Sequence, residues 1–208
     1  MHYRVTDRET HAAKTPHHIF NINIIITHLF ISMIVLEIGD TVALLLVPLI
    51  SSLVIAYLYS RARKICNEAT CSWFVKAHWT LAWRRGRILL ISYGIALGMV
   101  ALYLLFDMLF PGGFSMNNFS TDGEQTQLGE IITIRFAAVV IFVAVLITFM
   151  QTGISVYDAG KGIIDPKIEK YAPRHAGANA ELGEGSDEPH HKGVKQMDES
   201  KQEQEQEK

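Results

Sequence analysis

Four apolar, nearly uncharged runs alternate with polar segments along residues 19–157, and the chain is polar after Pro166. A helix needs about 20 apolar residues to cross the hydrocarbon core of a bilayer, and an open strand would leave backbone groups unpaired in lipid. The pattern therefore predicts an all-α fold, a bundle of four transmembrane helices. The predicted spans are residues 19–38, 41–60, 88–106 and 136–157.

The first predicted span is the most polar of the four. It contains Asn21, Asn23, His28 and Glu37, whereas the second and third runs carry no charge. If this span failed to insert, the protein would have three spans, and its two ends would lie on opposite sides of the membrane.

The positions of Lys and Arg predict the orientation. Basic residues lie before the first span, between spans two and three, and after the fourth, while the other two connections carry acidic residues such as Asp40 and Asp107. Lys and Arg are retained on the cytoplasmic side of a membrane. We therefore expect a multi-pass protein of the inner membrane with both termini in the cytoplasm. With four spans, all three basic segments fall on the same side of the membrane, and this agreement also favours insertion of the first span.

The predicted spans also set the bounds of the segments that precede, connect and follow them. The last part of the chain is rich in Gly, Glu, Ser, Lys and Gln and cannot bury enough apolar surface to offset its ordering entropy, so we expect a mostly disordered tail. The predicted parts are an N-terminal segment at 1–18, a cytoplasmic connector at 61–87, an outer loop at 107–135 and a cytoplasmic tail at 158–208.

Composition excludes several classes of protein. With 49% hydrophobic residues arranged in membrane-length runs, the 208-residue chain is neither a soluble single-domain enzyme nor a secreted disulfide scaffold. The net charge of −2 argues against a nucleic-acid partner. Cys66 and Cys71, the two cysteines, lie in the predicted cytoplasmic connector and lack a second ligand pair for zinc, so we expect free thiols or a lipidated cysteine.

The connector carries all three tryptophans and a run of arginines. Tryptophan favours the headgroup level of a bilayer, and arginines placed there attract anionic lipid. One interpretation is an amphipathic, membrane-anchoring elbow, and the other is a docking surface for a lipid headgroup or a partner protein. The residues expected to make this contact are Trp73, His78, Trp79, Trp83, Arg84, Arg85 and Arg87.

A resemblance covers about residues 20–106. The second span ends in a stretch with Tyr57, Tyr59, Arg61 and Arg63, and His78, Trp79 and Arg84 follow before the third span. This arrangement resembles a family of small, mostly uncharacterised bacterial multi-pass proteins related to a chloroplast inner-envelope translocon component and to small magnetosome-membrane proteins. The family's polar residues between the His and the Arg are replaced here by residues 80–83, and the fourth span has no counterpart. The resemblance implies a helical membrane bundle and brings no defined activity.

Polar residues inside the spans are candidates for function, because an ionisable group is costly at that depth. His28 is one, and its alternative is a neutral imidazole that forms a hydrogen bond across to Ser51 or Ser52 in the second span. A haem would need a second axial ligand such as Met33 or Met99. Arg135 begins the fourth span, and we expect it to pair with an outer carboxylate such as Glu130.

The third span contains a G-x-x-x-G motif at Gly94 and Gly98, with Ala101 continuing the small face. Such faces allow helix backbones to approach closely. The partner could be another span of the same chain or a second copy in a homo-oligomer.

No nucleophile–base arrangement, phosphate-binding loop or internal repeat is present in the sequence. We therefore expect a non-enzymatic accessory, assembly or scaffold protein without a cofactor, whose partners are the lipid bilayer, anionic lipids and another protein. Two alternatives stay open. One is an immunity-type protein against a membrane-active toxin, and the other is a small electron-transfer or metal-handling protein that uses His28. A small oligomeric channel is a further alternative.

Overall fold

The computed structural model describes residues 1–38, 42–111, 115–117, 125–175 and 178–182. Asp40 and the predicted disorder of residues 183–208 therefore lie outside the described residues. Among the described residues, four helices are long and apolar enough to cross a membrane, which confirms the predicted helical fold with four spans. They are Asp7–Ile38, Ala43–Asn67, Trp73–Leu109 and Leu128–Gly160.

The first of these helices changes its winding along its length. It consists of α1 (Asp7–Asn23), a π-helical segment (Ile24–Ile31) and α2 (Ser32–Ile38). Thr6 caps its start: the Glu9 backbone N–H donates to the Thr6 hydroxyl, and the Glu9 carboxylate accepts from the Thr6 backbone in return. π-Helical winding is rare and often marks functional sites. It places His28 in the widened part of the first span.

The other elements follow in chain order. Short antiparallel pairs join the two ends of the described chain and the two sides of the connection after the third span. The helices are a 3₁₀ turn (Val42–Leu45), α3 (Leu46–Asn67), α4 (Trp73–Leu109), α5 (Leu128–Gly160) and a second 3₁₀ turn (Pro166–Lys170), and the strands are β1 (His2–Tyr3), β2 (Ser115–Asn117), β3 (Gln125–Gln127) and β4 (Glu181–Leu182).

At one end of the bundle the helices continue beyond their apolar runs. α4 has 37 residues and is about 55 Å long, whereas the hydrocarbon core is about 30 Å thick. Residues 73–87 are its first part, so the structure has a continuous helix where an elbow was expected. We call this end of the molecule the cap. It comprises residues 1–18, 61–87, 158–175 and 178–182.

The cap has a core of its own, built around the N-terminal part of α4. Large side chains from four parts of the chain meet there with small alanines between them. The cluster consists of Tyr3, Ala13, Trp73, Phe74, Ala77, Ala159, Ile164 and Ile168. Because burial of this kind removes large aromatic and aliphatic surfaces from water, it holds α1, α4 and α5 together beyond their apolar runs.

The segment after α5 belongs to the cap. The Trp73 indole N–H donates to the Ala172 carbonyl at 2.8 Å, and the Tyr3 backbone N–H donates to the Gly162 carbonyl at 2.8 Å. Gly162 has a φ of 70°, and a Cβ there would lie 2.7 Å from the Tyr3 carbonyl oxygen. Only glycine fits this turn, which returns the chain to the N-terminus.

In the part of the bundle formed by the four apolar runs, which we call the membrane half, the helix interfaces combine large apolar side chains such as Phe20, Ile55 and Leu89 with small and polar residues. α5 turns a stripe of such residues to its neighbours, and large apolar residues such as Phe142 lie on its exposed side. Without a hydrophobic drive between helices in lipid, close backbone approach through small residues is the usual solution. The buried stripe is Ala137, Ala144, Thr148, Thr152 and Ser155 and continues to Ala159 in the cap.

Candidate functional site

The Trp/Arg segment is divided by the fold into an interior face and an outer face. Trp73 is 6% exposed, Trp79 is 5% exposed and His78 is fully buried. The expectation that these three side chains contact headgroups is therefore wrong. α1 and residues 161–172 cover Trp73 and His78, whereas Trp79 packs in a cluster with Ile65 of α3. A sequence pattern within α4 alone does not reveal this cover.

Trp83 is the tryptophan that lies on the outer face of this segment. It is half-buried, and its ring packs against the Tyr59 ring with centroids 4.5 Å apart. Tyr57, Tyr59 and Tyr157 are exposed near the cap ends of their apolar runs. Amphipathic aromatic rings favour the membrane–water interface. The aromatic residues suited to that level are thus mainly tyrosines, with Trp83 among them.

The three predicted arginines differ in their surroundings. The Arg84 guanidinium lies over the Tyr171 ring, 3.1 Å from its centroid. Arg85 is half-buried and donates to the Gln151 carbonyl of α5. Arg87 is exposed. Arg85 therefore ties α4 to α5, while Arg84 and Arg87 remain closer to the surface.

Exposed basic residues also lie on α3, where the chain leaves the second apolar run. Arg61, Arg63 and Lys64 are exposed at the end of this helix, and Arg63 donates to the Tyr59 hydroxyl at 3.3 Å. Together with Arg87 they place positive charge beside the apolar ends of two neighbouring helices. We call these four residues, Arg61, Arg63, Lys64 and Arg87, the basic collar.

A buried histidine pair lies at the centre of the cap. His17 Nε2 and His78 Nδ1 are 3.0 Å apart, and both residues are fully buried. The Phe74 ring packs on His78 with centroids 4.6 Å apart. The sequence interpretation singled out His78 and missed His17. The one signal for His17 is its position directly before the first apolar run.

Inside the membrane half, His28 has a different partner from the one expected. Its Nε2 lies 2.6 Å from the hydroxyl of Tyr93 on α4, whereas the Ser51 hydroxyl accepts from the Asn23 amide at 2.9 Å. The expected bond from His28 to Ser51 or the half-buried Ser52 is therefore wrong. The three residues lie at matching depths along their helices, but helix rotation decides which of several polar residues at one depth face each other.

Further polar groups join this interior contact. The Thr27 hydroxyl donates to the Asn23 side-chain carbonyl at 3.1 Å, and the Asn23 amide donates in turn to Ser51 on α3. The connected side chains bring together the first, second and third spans. Because an unpaired polar group is expensive in lipid, such a network specifies how the helices pack.

The small face of the third span has no partner within the described chain. Gly94 and Gly98 are exposed, a Cβ at either would meet nothing within 4 Å, and Ala101 is exposed as well. The tight glycine is Gly86, where a Cβ would lie 2.8 Å from Ile55 Cγ2. The predicted motif is therefore not the contact that holds the four spans of one chain together.

Arg135 does not form the expected pair with Glu130 in the part of the chain that the structure describes. Both side chains are exposed, and the ion pair found among the described residues joins Arg174 to Glu169 at 3.8 Å. Long side chains at the end of a span can reach the interface without a partner.

A polar cleft of about 570 Å³ opens at the tip of the cap, between the α3–α4 turn and residues 171–175 and 178–179. Cys66, Cys71, Lys76 and His175 are among its lining residues. Burial raises the pKa of the Cys71 thiol, with Glu68 adding to the effect. Among the described residues, no group of three or more His, Cys, Asp or Glu is arranged to hold a metal ion.

The fold and these sites define a four-helix membrane protein whose helices continue at one end into a packed cap. Comparisons of the chain with protein-family models, curated proteins and solved structures gave no match.

Proposed function

We propose that this chain is a non-enzymatic accessory or scaffold protein of the inner membrane, with the cap and both termini in the cytoplasm. The observation that carries the proposal is the basic collar on the rim of a packed cap. Its four basic side chains are exposed where α3 and α4 meet their apolar runs. The occupant proposed for the collar is the headgroup layer of anionic lipid.

The charge and its position both favour lipid. Each Lys or Arg near an anionic membrane surface contributes about 1 kcal/mol of attraction, which falls off within a Debye length. The exposed Tyr57 and Tyr59 rings lie one turn before Arg61 and are suited to the same interface. The collar would thus fix the depth of the bundle and the orientation of the cap.

The cap itself is the proposed contact for a partner protein. Its aromatic core holds α1, α4 and the segment after α5 in one arrangement, so the surface between them is preformed. Preformed surfaces lose less conformational entropy on binding. The cleft beside Cys71 and Lys76 is the concave part of that surface.

The lipid contact is tested by thermal unfolding of the full chain in nanodiscs of anionic or zwitterionic lipid. The collar variant Arg61→Gln, Arg63→Gln, Arg87→Gln removes three charges. We expect anionic lipid to raise the melting temperature of the wild type and to have much less effect on this variant. The expected loss is at most about 3 kcal/mol at low salt, and it falls as salt rises.

A matched control removes three exposed basic residues of the cap that lie away from the apolar ends of α3 and α4. Arg8→Gln, Lys167→Gln, Lys170→Gln has the same change in net charge. It should keep the stabilisation by anionic lipid. Equal losses in the two triple variants would show that net charge, and not the collar, determines lipid binding.

A further inference from the structure

The buried His17–His78 pair is not used by the proposed lipid contact, and its surroundings are unusual. One ring nitrogen of each residue faces the other, while His17 Nδ1 and His78 Nε2 are buried without a hydrogen-bond partner among the described residues. The Ile163 carbonyl lies near the His78 ring but outside hydrogen-bond geometry. Each imidazole can therefore still take up a proton, and within the described part of the chain no carboxylate acts on either ring to balance the resulting charge.

The charged groups around the pair oppose its protonation. Arg85 faces it from α4, and His18 lies beside His17 on α1. Asp158 from α5 and Asp165 from the following segment act on Arg85, and the N-terminal ammonium acts on Asp158. Since the acidic groups are engaged with these cations, a proton added to the pair would be a buried charge that is not compensated.

We propose that the His17–His78 pair is a proton-sensitive latch that holds α1 against α4 in the cap while it is neutral and releases α1 when it is protonated. On release each imidazole binds one proton from solvent and reaches water. α1 then separates from α4, and Trp73 loses the cover given by Tyr3 and Ala13. The residues of the latch lie before the apolar runs that begin at residues 19 and 88.

The direction of the pH effect follows from burial. Burial lowers the pKa of both imidazoles below the usual 6.5, and Arg85 adds to the effect at each. In the closed state α1 is held against α4. A histidine whose pKa is lowered in this state stabilises it above pH 6.5, and this stabilisation is lost as the pH falls below 6.5. Each imidazole then favours opening about tenfold per pH unit.

The latch is tested by hydrogen exchange of the full chain in nanodiscs at pH 7.5 and pH 5.5, corrected for the intrinsic exchange rate. We expect the opening constant of amides in residues 7–18 to rise about 100-fold between these values, because two protons are taken up. Amides of α5 in residues 136–150 should keep their protection. Emission of the buried Trp73 should shift to the red in parallel.

The variant His17→Gln, His78→Gln should abolish this pH dependence between 7.5 and 5.5. His11→Gln, at an exposed histidine of α1, is the matched control and should keep it. The same 100-fold rise in the double variant, or constant protection of residues 7–18 in the wild type, would refute the latch.

A measurement on the wild type covers the case in which the double variant fails to fold. The ¹⁵N shifts of the two rings report their charge directly. We expect both rings to be neutral at pH 6 in molecules whose α1 amides are protected. A charged ring in such protected molecules would overturn the proposal.

Discussion

The cap and the membrane half place opposite kinds of residue on their surfaces. In the cap, Tyr3, Trp73 and Phe74 are buried, and the exposed positions are mostly polar or basic. In the membrane half, Phe20 and Leu89 are buried together with the polar Ser51 and Thr148, and other large apolar side chains face outward. One helix, α4, contains both patterns, since its first part is packed by large aromatic residues and its last part is exposed along most faces.

The contrast shows how the solvent decides which residues a helix exposes. In water, polar and basic side chains are solvated at the surface, and burial of aromatic surface is the dominant stabilising term. Lipid accepts large apolar side chains at the surface, and small residues and interhelical hydrogen bonds then contribute to packing beside the buried Phe20, Ile55 and Leu89. A single amphipathic pattern therefore does not extend over α4.

The largest expected difference between the two regions comes from deleting an aromatic ring. Phe74 is fully buried in the cap, and Phe74→Ala should lower the free energy of unfolding by about 3–5 kcal/mol. Phe142 in the fourth span is 62% exposed, and Phe142→Ala should change the free energy of unfolding by less than about 1 kcal/mol. Both are measured by unfolding in mixed micelles. Equal effects would contradict the division into cap and membrane half.

A smaller effect is expected at the junction of the two regions. Gly86→Ala places a methyl group against Ile55, and overpacking of this kind costs about 1–3 kcal/mol. Gly94→Ala is the same change at an open position and should be neutral or stabilising, because alanine is the better helix former. The melting temperatures of the two variants are compared. A loss at Gly94 equal to that at Gly86 would indicate that Gly94 also has a close partner.

The smallest effect tests the polar interior of the membrane half. Ser51→Ala removes the acceptor of the Asn23 amide and should cost about 0.6–2 kcal/mol. Ser60→Ala is the matched control, since Ser60 is exposed and donates to a carbonyl of its own helix. Unfolding of both variants is followed by the tryptophan emission of the cap. The network is not a determinant of packing if Ser51→Ala is as stable as Ser60→Ala.

Part of the candidate site was accessible from the sequence. The Trp/Arg segment was recognised as distinctive, and Arg84 and Arg87 do lie near the surface. Trp73, His78 and Trp79 were assigned to the wrong environment, because an amphipathic face can contact either lipid or protein. Nothing local to α4 indicates that residues 161–172, far along the chain, return to cover it.

The sequence by itself determined the number of spans and the sharp change from apolar to polar character at their ends. Length and hydropathy are sufficient for this, because each helix must satisfy the bilayer independently of the others. The tertiary structure alone decided that His17 meets His78, that His28 meets Tyr93, and that Gly94 faces outward. These contacts depend on the rotation and register of whole helices, which many distant side chains set together.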